Sequence, residues 1–168
     1  MICGFGRTGQ GFGSDTFSIP SDLMPIAKGL SSGYLPVAAV MVADHVARVM
    51  IEEGGEFFHG MTYSGHPTAC AVASANIRIL RDEGIIDQVG NDTGPYLQQC
   101  WQALANHPLV GEARGVGFLG ALELVKVKET RESFDPPGRA GILCRDAPPP
   151  HGLIVRAVGE CRIISPPL

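Results

Sequence analysis

A chain of 168 residues and 17.8 kDa, with 45% hydrophobic and 18% charged residues, has the composition of one ordinary globular domain and excludes a disordered polypeptide. Thirteen Lys and Arg against 17 Asp and Glu leave a net charge of −4 and a pI near 5.7, which offers no broad basic footprint for nucleic acid or anionic lipid. The 22 glycines and 13 prolines are spread without period, so they predict many tight turns in an α/β fold rather than a fibre.

The chain opens on a glycine-rich loop over residues 4–14. Gly4, Gly6 and Gly9 satisfy G-x-G-x-x-G, but only three residues precede them, and Gly11, Gly13 and Pro20 predict that no helix follows. The loop therefore reads as a tight turn needing positive φ, not as a dinucleotide site. Residues 23–27 predict a short strand that ends at Lys28, before Gly29-Leu-Ser-Ser-Gly33. Residues 37–42, rich in Val and bounded by Pro36 and Asp44, predict a second strand, and both read as buried within a sheet covered on two faces.

Asp44 then predicts the cap of a helix over 45–52, stopped by Gly54-Gly55. After a loop over 56–65, Pro67 opens the clearest helix, 67–80, which Gly84 follows. An amphipathic helix is expected over 96–107, with Leu97, Cys100, Trp101 and Leu104 on one face. From Val110 the texture changes to strands, expected at 116–125, 153–158 and 162–165. A boundary near residue 108 would divide the chain into 1–108 and 109–168.

Five separated cysteines, Cys3, Cys70, Cys100, Cys144 and Cys161, with no C-x-x-C pair, predict reduced thiols in a cytoplasmic protein. No apolar run approaches the ~18 residues of a membrane helix, and Met1-Ile-Cys-Gly4 lacks the basic start of a signal peptide. Neither a membrane nor a nucleic-acid partner is expected.

Lys28 is the residue with the most chemical promise. An amine at a strand end inside a pocket loses hydration, which disfavours its charged form and frees the neutral amine to attack carbonyls, including that of pyridoxal phosphate. The series Gly4-Phe-Gly-Arg-Thr-Gly9, Pro20-Ser-Asp-Leu-Met-Pro-Ile-Ala-Lys-Gly-Leu30, Gly33-Tyr-Leu-Pro36 and His59-Gly-Met-Thr-Tyr-Ser-Gly-His-Pro67 resembles the class III aminotransferases, pyridoxal-phosphate enzymes of fold type I that include the omega-transaminases. Gly152-Leu-Ile-Val-Arg-Ala-Val-Gly-Glu160 and Ile163-Ile-Ser-Pro-Pro-Leu168 fit the same family, and the segments follow one another in the family's order.

The resemblance implies part of a mixed, mostly parallel sheet domain binding pyridoxal 5′-phosphate over 1–108. A truncated small α+β C-terminal domain would follow over 109–168. Lys28 is then similar to the lysine that holds the cofactor as a Schiff base and afterwards shuttles the substrate proton. Thr62 matches the threonine that reaches the cofactor phosphate of the neighbouring subunit in a homodimer, with a helix-capping loop threonine as its structural alternative. Arg156 lies where the family keeps an arginine for the substrate carboxylate, against the alternative of a surface arginine paired with Glu160. Tyr34, Tyr63 and Arg7 are weaker pocket candidates. His59 and His66 lack a third ligand at metal spacing, so no metal is expected, and Glu123 reads as a solvated strand position.

The implied activity moves an amino group between an amine or amino acid and a keto acid or aldehyde. The resemblance also expects an Asp-Glu-Val segment ahead of Ile2, whose aspartate binds the pyridine nitrogen, and a closing helix after Leu168. On that ground the chain by itself is expected to be weak or inactive. The alternatives are a non-catalytic fragment stable only on association, or an aminomutase, racemase or decarboxylase of the same fold. Pro148-Pro-Pro150 departs from the family where a helix runs toward Gly152; proline costs about 3 kcal/mol inside a helix, so that helix must stop before Pro148.

Overall fold

A computed structural model describes residues 2–147, 152 and 154–168. The chain divides into two compact units, Met1–Ile86 and Asp87–Leu168.

In the first unit the glycine-rich loop turns back on itself, with Phe5 N–H donating to Gly11 O at 2.7 Å. It ends in a single helical turn, α1 (Gly13–Thr16), where the sequence predicted none. Asp15 is the reason, because its carboxylate accepts the Phe12 N–H at 2.9 Å and closes the turn despite the glycines. Strands β1 (Leu23–Ile26) and β2 (Ala39–Val42) pair antiparallel, Leu23 opposite Val42 and Ile26 opposite Ala39. Their side chains are half-buried or exposed, so the expected burial on both faces is not found within this chain.

Helix α2 (Asp44–Glu52) places Asp44 inside its first turn rather than at the cap, which is Ala43. Helix α3 (Pro67–Asp82) begins with Pro67, whose missing N–H costs nothing at that position, and ends before Gly84 at φ +64°. Its inner face carries Ala69, Ala73 and Leu80. Ala73 and Leu80 pack with Phe5 and Leu30 into a small core, flanked by Phe12, Ile26, Val37 and Ile85.

Helix α4 (Ile85–Gln88) runs across the division between the units and leads through a wider helical turn, Val89–Thr93, into α5 (Gly94–Ala103) of the second unit. Strands β3 (Val110–Val116), β4 (Leu119–Leu124), β5 (Arg156–Val158) and β6 (Cys161–Ile164) form an antiparallel sheet in the order β3-β4-β6-β5. The sequence predicted one strand over 116–125. Instead Gly117 at φ +54° turns the chain between two strands, and Gln98 Nε2 on α5 fastens that turn by donating to Gly117 O and Leu119 O at 2.8 and 2.9 Å.

Trp101 on α5 packs with Val110, Leu122 and Ile164, with half-buried Leu97 beside them. That packing binds α5 to the following sheet, so the compact units divide at 86/87 rather than near residue 108. Cys100 and Leu104, expected on the buried face, are exposed. Helix α6 (Arg139–Asp146) stops before the proline run, and Pro148-Pro-Pro150 itself lies outside the described residues.

The α/β fold class stands. Among the described residues every named strand pair is antiparallel, whereas the resemblance carried a mostly parallel sheet. Between β1 and β2 the twelve residues 27–38 hold a 3₁₀ turn, Lys28–Leu30, and no α-helix, and the chain returns beside the strand it left. A parallel crossover is usually carried by an α-helix packed on the sheet, which this connection lacks.

Candidate active site

Lys28 follows β1 and opens the 3₁₀ turn. Ala27 before it is fully extended at φ −167°, ψ −162°, while Lys28 itself sits at φ +55°, in the left-handed region. An L-residue there costs roughly 1–2 kcal/mol, so the turn must be held by its surroundings. Leu30 N–H donates to Ala27 O and Ser31 N–H to Lys28 O, both at 3.2 Å. Leu30 is buried in the core of the first unit, and Ser31 Oγ donates to Leu35 O at 2.6 Å.

Gly29 faces Phe5 so closely that a Cβ there would lie 3.0 Å from the Phe5 Cβ and Cδ2 atoms. From the other side Asn76, on α3, donates through Nδ2 to Gly29 O at 2.8 Å and Leu30 O at 3.2 Å. Ser32 Oγ donates to Asn76 Oδ1 at 2.7 Å. The backbone after the lysine is thus fixed while its side chain is not.

The Lys28 amine is exposed rather than enclosed in a pocket, so the dehydration expected from sequence is not supplied by these residues. It has no hydrogen-bond or ion-pair partner among the described residues. The other two lysines are engaged: Lys126 Nζ meets Glu132 Oε1 at 2.5 Å, and Lys128 Nζ donates to Ala105 O.

Thr62 lies in the same unit, in a turn closed by Ser64 N–H to Met61 O at 2.9 Å and by Met61 N–H to Ser64 Oγ at 3.1 Å. The capping alternative fails, because His66 is the α3 N-cap and its Nδ1 accepts the Ala69 N–H at 3.4 Å. The Thr62 hydroxyl is exposed and without a partner among the described residues. No hydrogen bond joins Thr62 to Lys28 among them.

Arg156 opens β5 in the second unit, opposite Ile163, and is exposed. Its expected structural partner is occupied elsewhere: Glu160 accepts the Gly138 N–H at 2.6 Å and the Gly141 N–H at 2.7 Å, around the start of α6. Arg156 therefore has no ion pair among the described residues.

Tyr34 and Tyr63 are exposed, and burial holds the half-buried Arg7 guanidinium below its ordinary value. His59 rests its ring edge-on to Phe57 at 5.8 Å. Glu123 accepts from Arg131 Nη2 at 2.8 Å and lies 3.5 Å from Arg114 Nη1. Asn76 was missed from sequence, yet the signal was there: its place between Ala73 and Leu80 on the inner face of α3 is one where an apolar residue is expected.

A family model described as aminotransferase class III matches residues 1–167. A putrescine–pyruvate aminotransferase of Pseudomonas aeruginosa is 61% identical over the whole chain, which spans 36% of that protein. A diaminobutyrate–2-oxoglutarate transaminase of Halomonas elongata is 42% identical, and chloroplastic gamma aminobutyrate transaminase 3 of Solanum lycopersicum is 40% identical. The chain spans 37% and 32% of these, and they match 100% and 99% of it. Among solved structures, a transaminase with L-alanine superposes with a TM-score of 0.93 at 40% identity, over 99% of this chain and 40% of its own. The omega-transaminase of Pseudomonas jessenii in complex with PMP gives 0.92 at 40%, over 99% and 37%. The chain thus spans about a third of the length of the curated relatives it matches.

Proposed function

The chain belongs to the class III aminotransferases, and we propose that Lys28 is the amine with which the protein holds pyridoxal 5′-phosphate and moves the substrate proton. One observation carries this reading. Of the chain's three lysines, Lys28 is the one whose amine has no partner among the described residues, and it stands on a backbone fixed at φ +55°. The described residues fit the cofactor, since the free Lys28 amine suits its aldehyde and, from the second copy, a Thr62 hydroxyl unpartnered among the described residues suits its phosphate.

When bound, pyridoxal phosphate supplies an aldehyde for the lysine and a ring that draws electrons from the substrate. Lys28 Nζ takes the proton lost by the amine-bearing carbon of the donor and returns one to the carbon that receives the amine. Arg156 offers a planar fork to the carboxylate of the acceptor, and with no ion pair among the described residues that fork is available.

The protein is proposed to transfer an amino group from an amine or amino acid to a keto acid or aldehyde. Relatives named for putrescine, diaminobutyrate and gamma aminobutyrate support a donor whose amine sits at the end of a short carbon chain. A homodimer is proposed with Thr62 reaching the cofactor phosphate of the second copy. The exposed apolar side chains around it, Phe57, Phe58, Met61 and Tyr63, support an occupant on that segment. A cytoplasmic location is proposed on the five free thiols. Among the described residues no helix is long and apolar enough to cross a membrane.

The test is borohydride reduction with pyridoxal phosphate, followed by peptide mapping. Hydride adds to the carbon joined to the lysine nitrogen and leaves a stable secondary amine. Label concentrated on Lys28 supports the reading; equal label on Lys28, Lys126 and Lys128 ends it.

A further inference from the structure

We propose that Asn76 is a positioning residue for Lys28: its side-chain amide fixes the two carbonyls that follow the lysine and so sets the direction in which Nζ is presented. The inference rests on the reading of Lys28 as the cofactor-holding lysine. A left-handed residue between an extended strand and a 3₁₀ turn leaves the carbonyls of Gly29 and Leu30 to be satisfied, and the two Nδ2 hydrogens of Asn76 reach both, at 2.8 and 3.2 Å.

Ser32 determines which way the amide faces. Its hydroxyl donates to Oδ1 at 2.7 Å, which turns Nδ2 toward the carbonyls. Asn76 also stands on the most regular element of the unit, between Ala73 and Leu80, which are packed in the core with Leu30. The amide therefore ties the lysine turn to a rigid helix, and Phe5 closes the opposite side against Gly29. A lysine has four side-chain torsions, so only a fixed backbone confines its amine to one approach.

Asn76→Asp tests this most directly, because an ionised carboxylate has the same shape and no donor, and it faces two carbonyl oxygens. The parent chain, Asn76→Asp, Asn76→Ala and Ser32→Ala are each reduced with borohydride at limiting pyridoxal phosphate. The ratio of label on Lys28 to label on Lys126 is read by peptide mapping, and melting without cofactor is followed by circular dichroism. The expected result is a ratio lowered about tenfold in Asn76→Asp and Asn76→Ala, the factor that ~1.4 kcal/mol makes, with a smaller fall in Ser32→Ala.

Lower melting with an unchanged ratio overturns the proposal and makes Asn76 merely structural. If the Asn76 variants lose their helical signal, Ser32→Ala decides, since Ser32 is exposed. A lowered ratio there supports the positioning role, and an unchanged one overturns it. A parent that labels both lysines equally defeats the reading of Lys28 itself, a different result from a selective parent with equally selective variants.

Discussion

Replacing Arg162 by Met is expected to stabilise the second unit. Arg162 is 2% exposed, on β6 one residue from the outward half-buried Ile163 and on the same face as core Ile164. Its Nη2 makes one long bond to Ala140 O at 3.3 Å, and its Nε and Nη1 atoms have no hydrogen-bond partner among the described residues. Glu160, two residues away, has both carboxylate oxygens on backbone N–H groups, so no carboxylate is bonded to this guanidinium among the described residues. Each orphaned buried donor group costs about 1–3 kcal/mol, and the bond given up is worth about 1.5–3 even at good geometry. The balance favours Met by roughly 1–3 kcal/mol. Met also follows much of the arginine stem and leaves little void, which Ala would not. For a unit of this size 1 kcal/mol moves the midpoint by about 4–8 °C. Trp101 is the chain's single tryptophan and lies in the same core, so its fluorescence during heating reports this unit. A midpoint lowered in Arg162→Met would refute the reasoning and show that the Asp146 carboxylate, which feels the Arg162 charge, outweighs the orphaned donors.

Gly120→Ala is expected to destabilise the same unit by about 1–3 kcal/mol, read by the same fluorescence melt, because its Cβ would lie 2.8 Å from the Trp101 ring and 3.0 Å from Ile164. Glu160→Ala should unravel the start of α6 at a cost of about 1–2 kcal/mol, seen as lost helical circular dichroism, since the carboxylate accepts the Gly138 and Gly141 N–H groups. Glu112 is held below its ordinary value of 4.5 first by its hydrogen bond from Arg131, with burial opposing, and further by the charges of Arg114 and Arg131. Its contribution is therefore present above that value and lost as pH falls through the lower folded one. Glu112→Gln should make the acid limb of the melting profile shallower below about pH 4.5, with the difference fading in high salt because the pair is exposed.

What the sequence makes legible is what single residues enforce. Pro67 and Gly84 bracket α3 because one lacks an N–H and the other accepts φ +64°, and both effects are local. The β3–β4 hairpin is obscured by its own composition. Gly111, Gly115, Gly117 and Gly120 interrupt the alternation, and only the close approach of Val125, Leu119, Gln98 and Trp101 explains why side chains are missing at three of them. The exposure of β1 and β2 within this chain is not legible, because a short apolar run looks the same whether or not a layer covers it. At the site, Lys28 was legible from its place after a strand and before a small-residue loop. Asn76 shows in the sequence only as a polar residue on the inner face of α3, and its role is hidden because its partners are backbone carbonyls that sequence does not display.

The conformation of Lys28 gives the last prediction. In ordinary backbone glycine is less stable than alanine by roughly 0.5–1 kcal/mol, because it loses more freedom on folding. At φ +55° the order should reverse, since alanine pays about 1–2 kcal/mol for a left-handed backbone and glycine pays none of it. Lys28→Gly should therefore melt above Lys28→Ala, by a net amount on the order of 0.5–1 kcal/mol. The comparison removes the amine from both variants, so it reads the backbone alone, and Lys28 is exposed, so neither opens a cavity. Melting followed by helical circular dichroism measures it, because α3 is the longest helix of the first unit and Asn76 couples it to the turn. If alanine proves the more stable, the backbone at Lys28 is not left-handed in solution and the strain argument falls. If glycine does, the protein keeps a lysine where glycine would be easier to hold, and the reason must lie in its amine.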